Sequence, residues 1–164
     1  MTMTSTNGLQ VTTPSDREIR IERSFAAPRR LVYDAYTKPE LVKRWLGNMP
    51  GWSWAECEMD VRVGGRYRWL WKGPEGVELG ISGTYREVVP TERIVNTEKF
   101  DQSWYAGEAV DTVTFHGLGG KTTVVTSIIY ESKAVRDGVL QSPMADGMEF
   151  GYQMLDALLA TEGE

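Results

Sequence analysis

Polar and apolar residues alternate along most of the chain. From Asp16 to Phe25, Ile19 and Ile21 fall on one face and Arg20 and Glu22 on the other, the period of a strand. The pattern then lengthens. Pro28 suits a helix start, and Leu31, Val32, Ala35 and Tyr36 make one apolar stripe. Pro39 opens a second short helix that buries Leu41, Val42 and Trp45 and ends at Gly47. Alternation returns at Trp52 to Val61, with Trp54, Glu56, Glu58 and Asp60 opposite Ala55, Cys57, Met59 and Val61. Gly64-Gly65 turns the chain into the strand Arg66 to Lys72, which puts Tyr67, Trp69 and Trp71 on one face.

Turn signals divide the rest. Gly73 to Gly76 closes a hairpin into Val77 to Val89, where Gly80 and Gly83 suggest a bulge or bend. Pro90 to Glu92 turns into Arg93 to Phe100. Ala109 to His116 pairs across Gly117 to Gly120 with Lys121 to Glu131, a run rich in Thr, Val and Ile. Ser132 to Leu140 is helical, and Ser142-Pro143 interrupts. Met144 to Ala160 is a long helix with Met144, Gly147, Met148, Gly151, Leu155 and Leu158 on one face. Each of those glycines costs a helix about 1 kcal/mol against alanine, so close approach to the sheet or a cavity is expected there.

The predicted class is therefore α+β: one antiparallel sheet of about six or seven strands, two short helices after the first strand, and a long C-terminal helix lying across it. Residues 1–15, polar with Gly8 and Pro14, read as a disordered tail, and 16–162 as one domain.

Composition removes several function classes. A net charge of -5 without a basic run disfavours nucleic acid and anionic membrane. Cys57 is the only cysteine, so no internal disulfide forms. No apolar run reaches the ~20 residues of a membrane span, and Met1 to Ser15 lacks the pattern of a secretory signal. A cytoplasmic protein is expected. No His/Cys cluster exists to hold zinc, and neither glycine-rich turn leads into a phosphate-binding helix, so no metal or cofactor is expected.

The candidate chemistry is aromatic. Tyr67, Trp69 and Trp71 form an apolar wall that needs a packed core or an apolar ligand against it. Trp45 and Trp104 are expected near the mouth, and Trp54 belongs to the same set of tryptophans. Ile81, Tyr85 and Phe115 come from neighbouring strands; Met144, Met148 and Tyr152 come from the long helix. Glu98 shares a face with Ile94, Asn96 and Phe100. If that face points inward, Glu98 is a polar anchor or an acid/base with a raised pKa. His116, just before a turn on the face opposite Phe115, reads as a surface residue. Cys57 reads as a small core residue. Glu56, Glu58 and Asp60 read as a solvated face beside Arg66 and Arg68.

The order strand, two helices, strands, long helix resembles the helix-grip fold of the START-related, birch-pollen-allergen-like superfamily. At motif level, Phe25-Ala26-Ala27-Pro28, Val32 to Thr37, Pro39-Glu40 and Trp45 resemble the opening of the activator of heat-shock-protein-90 ATPase homologue-like family. So do Asp60 to Tyr67, Gly83 to Val95, Gly120 to Val124, Tyr130 to Ser132 and Met144 to Met148. The resemblance covers about Glu18 to Leu159. It implies an apolar cavity between the long helix and the sheet. Three functions follow in order: binding of a hydrophobic or aromatic small molecule or lipid without chemistry; a cyclase, dehydratase or hydrolase in the same cavity with Glu98 as acid/base; and contact with a chaperone or other protein. A homodimer could form by pairing of an exposed sheet edge.

Overall fold

The structure is a computed structural model that describes residues 3–6, 8–102 and 107–162. Nine strands form a single antiparallel sheet: β1 (Met3–Thr6), β2 (Leu9–Thr12), β3 (Glu18–Phe25), β4 (Ser53–Met59), β5 (Arg66–Lys72), β6 (Glu78–Val89), β7 (Arg93–Phe100), β8 (Ala109–Leu118) and β9 (Lys121–Ile129). Their spatial order is β1-β2-β3-β9-β8-β7-β6-β5-β4. Among the described residues four α-helices complete it: α1 (Arg29–Thr37), α2 (Pro39–Trp45), α3 (Lys133–Leu140) and α4 (Met144–Glu162). This is the helix-grip arrangement. The seven strands β3 to β9 are those the alternation predicts.

Two expectations are corrected. The stretch read as a disordered tail instead contributes β2, which pairs with β3 and buries Leu9 and Val11. Leu9 is 0% exposed, so this hairpin strand is part of the core. The sheet is thereby wider than six or seven strands. The second correction lies in β4. The register slips between Trp54 and Glu56, so Trp54 pairs with Trp71 while Cys57 pairs with Trp69 and Met59 with Tyr67. The extra residue moves Trp54 to the side of Cys57 and Met59, away from Glu56 and Glu58. β6 runs through Gly80 and Gly83 without a break, its register shift falling between Tyr85 and Glu87.

One face of the sheet carries the core. Ile19, Ile21 and Phe25 of β3, Val124 and Ile128 of β9, and Val113 and Phe115 of β8 are buried there. The helices cover that face with Val32, Ala35, Val42, Leu155 and Leu158. Phe115 lies edge-on to Tyr33 and Tyr36, with ring centroids 5.5 and 5.3 Å away. An arginine ties α4 to the sheet. Arg23 of β3 is buried, meets Glu149 at 2.9 Å and Asp156 at 2.8 Å, and lies 4.9 Å from the Phe25 ring.

Candidate functional site

Between α4, α2 and the inner face of β5 to β9 lies a cavity of about 360 Å³. Its aromatic wall comes from the strand after Gly65: Tyr67 and Trp69 of β5, joined by Tyr85 of β6. Tyr36 and Trp45 come from α1 and α2, and Met144, Met148 and Tyr152 from α4. Trp45 is fixed by its indole N–H, which donates to the Ala35 carbonyl at 2.9 Å, and it stacks on Tyr152 at 6.2 Å.

The two helix glycines divide the roles that their cost suggested. A methyl group built at Gly147 would meet nothing within 4 Å, so this glycine opens onto cavity space. At Gly151 the same group would already touch Trp45, 3.4 Å from its carbonyl oxygen. Gly151 is the place of close approach. Near the mouth, Leu46, Gly47 and Met49 follow α2, and Met49 is 44% exposed. Gly47 has φ +72, and any Cβ there would run into the Trp71 indole, so only glycine fits that bend.

The polar end of the cavity is built by pairing of β7 with β8. Asn96 lies opposite Asp111, and both line the cavity. Asp111 is 9% exposed, and its Oδ1 has no hydrogen-bond partner. Burial, then the charge of Glu98 and a hydrogen bond with it, push the Asp111 carboxyl well above the usual carboxylate range, against a hydrogen bond from Asn96. The Asn96 amide donates to the Tyr67 hydroxyl and to the Thr97 carbonyl, both at 3.2 Å, and Tyr67 itself donates to Thr97 at 2.6 Å. Burial, then the Asp111 and Glu98 carboxyls, hold the Tyr67 phenol well above its ordinary value.

Of the residues singled out in the sequence, Trp45, Tyr67, Trp69, Tyr85, Met144, Met148 and Tyr152 line the cavity. Trp54 and Trp71 do not; their rings pack on each other 4.5 Å apart. Ile81, half-buried opposite Trp69 in the β5–β6 pair, packs against the core, and Phe115 is held among Tyr33 and Tyr36; neither lines the cavity. Glu98 shares its strand face with Asn96 and interacts with the Asp111 carboxyl, but it is not one of the residues lining the cavity. Trp104 lies outside the described residues. The sequence reading missed Asp111, although Ala109, Asp111, Val113 and Phe115 are consecutive members of one strand face. It also missed Tyr36 and Ile94 as wall residues.

The remaining candidates are unremarkable. His116 is exposed and hydrogen-bonds the Thr114 hydroxyl at 2.9 Å. Burial raises the Cys57 thiol pKa, which leaves it a poor nucleophile. Glu56 pairs with Arg68 at 3.4 Å on the outer face. Among the described residues no group of His, Cys, Asp and Glu has the makings of a metal site, and no helix is long and apolar enough to cross a membrane.

The family model described as Activator of Hsp90 ATPase homolog 1-like protein matches residues 26–160. The chain belongs to that family. A crystal structure of a Rhodobacter sphaeroides protein is 32% identical, with a TM-score of 0.86 over 93% of this chain and 98% of that one. Protein NE0264 from Nitrosomonas europaea (21% identical, TM-score 0.78, 92% and 99% covered) shares the fold. So does protein Ms6760 from Mycobacterium smegmatis (22%, TM-score 0.78, 96% and 97% covered). No curated protein shows significant sequence similarity to the chain. For a family of this fold, membership supports a small ligand-binding domain or an Hsp90-ATPase-activator-like one.

Proposed function

We propose that this chain is a cytoplasmic binding domain that encloses one small hydrophobic or aromatic molecule between α4 and the sheet, without chemistry of its own. The observation that supports it is Gly147: a helix keeps a glycine where a side chain would fit, and the space it leaves is walled by Tyr67, Trp69, Met144 and Met148. The test is tryptophan fluorescence titrated with sterols, flavonoids, fatty acids and polyketide-like aromatics. Saturable quenching by one class, lost in Trp69→Ala, is the expected result. A flat response across the panel overturns the proposal.

One observation favours a second reading. A buried, proton-retaining carboxyl at Asp111 beside Glu98 has the make-up of a general acid, as a cyclase or dehydratase would need. In that case Asp111→Asn binds substrate and fails to turn it over. A bound ligand recovered chemically unchanged after prolonged incubation excludes it. Chaperone contact, the third reading, rests on the family description alone; an unaltered Hsp90 ATPase rate at micromolar protein disposes of it.

A further inference from the structure

The chemistry of the cavity wall narrows the occupant, provided the binding reading above holds. Nineteen described residues line the cavity, and none of these is Lys, Arg or His. Among the described wall residues no cation is placed to hold a carboxylate, sulfate or phosphate. The one carboxyl among the described wall residues is that of Asp111, and its Oδ1 has no hydrogen-bond partner. The neighbouring donors leave that oxygen unfilled. Asn96 gives its amide hydrogens to Tyr67 and Thr97, and Tyr67 gives its own to Thr97. Glu98, a second carboxyl in contact with the first, adds to the negative character of this end. Elsewhere on the wall the Trp69 indole N–H is also without a partner, and it suits a neutral oxygen of a ligand.

We infer that the cavity selects an apolar molecule with a hydrogen-bond-donating head, a hydroxyl or an ammonium, seated on the Asp111 Oδ1, and that it rejects the corresponding carboxylate. A buried acceptor left unmade costs free energy, so a donor that reaches it gains more than ordinary apolar contact supplies. An anion placed at the same point would lose its hydration and meet the unfilled acceptor oxygen of a carboxyl pair that still carries negative charge, with no cation beside it. The aromatic rings of Tyr67 and Trp69 add a favourable surface for an ammonium. Fatty acids, the commonest trial ligands for apolar cavities, are therefore the wrong class for this one.

The experiment is isothermal calorimetry with four probes on one two-ring body: 2-ethylnaphthalene, 2-(2-naphthyl)ethanol, 2-(2-naphthyl)ethylamine and 2-naphthylacetate. The alcohol, the amine or both should bind roughly tenfold or more tighter than both the hydrocarbon and the acetate. Which of the two wins identifies the head group. In Asp111→Leu that preference should vanish while the hydrocarbon still binds. If Asp111→Leu does not fold, Asp111→Asn serves: its amide oxygen still accepts, so the alcohol should keep its preference over the hydrocarbon. Acetate binding as tight as the alcohol and the amine overturns the inference and leaves the cavity proposal standing. So does hydrocarbon binding that no head group improves. Silence from all four probes, the hydrocarbon included, removes the binding reading itself and this inference with it.

Discussion

Asp111 is the buried carboxyl at the polar end of the cavity. Its pKa in the folded chain is raised, chiefly by burial and then by Glu98. Above the ordinary carboxylate value of about 3.9 the unfolded chain gives up this proton and the folded chain keeps it. The folded state then binds more protons than the unfolded one, so this group makes stability fall as pH rises from that value toward the folded pKa. Asp111→Asn removes the dependence. The variant should match the parent below pH ~4 and exceed it at neutral pH. Urea denaturation of both proteins from pH 4 to 8 checks this, and a difference that stays flat with pH would show that Asp111 is not held protonated. Little of this was hidden. Val113 and Phe115 mark the inward face of β8, and Asp111 is the next residue along it. What alternation cannot say is how far a face remains inward toward a strand's end, and an aspartate there has the ordinary look of a solvated one. Trp54 was misplaced for a different reason. One extra residue near Ala55 reverses the parity, and no glycine or proline in β4 announces it.

Among the elements, α4 is held over the sheet by charge as well as by apolar contact. The guanidinium of Arg23 makes two-pronged contacts with Glu149 (3.2 and 2.9 Å) and with Asp156 (2.8 Å twice). Glu149 is buried with it, whereas the Asp156 side chain is 44% exposed. Removing the arginine strands a buried carboxylate, which costs about 3–5 kcal/mol in comparable pairs. Arg23→Met should lose that much by chemical denaturation, and Arg23→Met with Glu149→Leu should recover most of it, because two apolar groups leave nothing unpaired. A single variant within ~1 kcal/mol of the parent would mean that α4 is held by packing alone. Arg23 sits on the inward face of β3 between Ile21 and Phe25, so its position was legible while its partners, more than a hundred residues away, were not. The hairpin before β3 was legible in part. Leu9 and Val11 alternate with Gln10 and Thr12, and Asn7-Gly8 is a favoured hairpin dipeptide. Four residues of alternation among threonines and serines carry less signal than the composition around them, and composition pointed the wrong way.

For the whole molecule, the decisive contrast is between a cavity kept for a ligand and one left by imperfect packing. The order of elements fixes where α4 must lie, so the fold and the cavity's aromatic wall were readable; the volume was not, because it is the difference between two packed surfaces. Gly147 and Gly151 separate the cases. Gly147→Leu adds a side chain into open space and a better helix former, so the unliganded protein should melt higher. Gly151→Leu drives into Trp45 and should melt lower. A ligand at about 100 times its Kd stabilises the native state by about 2.7 kcal/mol, which a thermal melt reads directly. The parent should show that shift with the probe that binds it, and Gly147→Leu should show none while remaining the more stable protein. A gain in melting temperature together with loss of the ligand shift is what a reserved binding space requires. If Gly147→Leu keeps the full shift, the ligand sits elsewhere; if it melts lower without ligand, the space beside Gly147 closes in solution, and the cavity was never held open for an occupant.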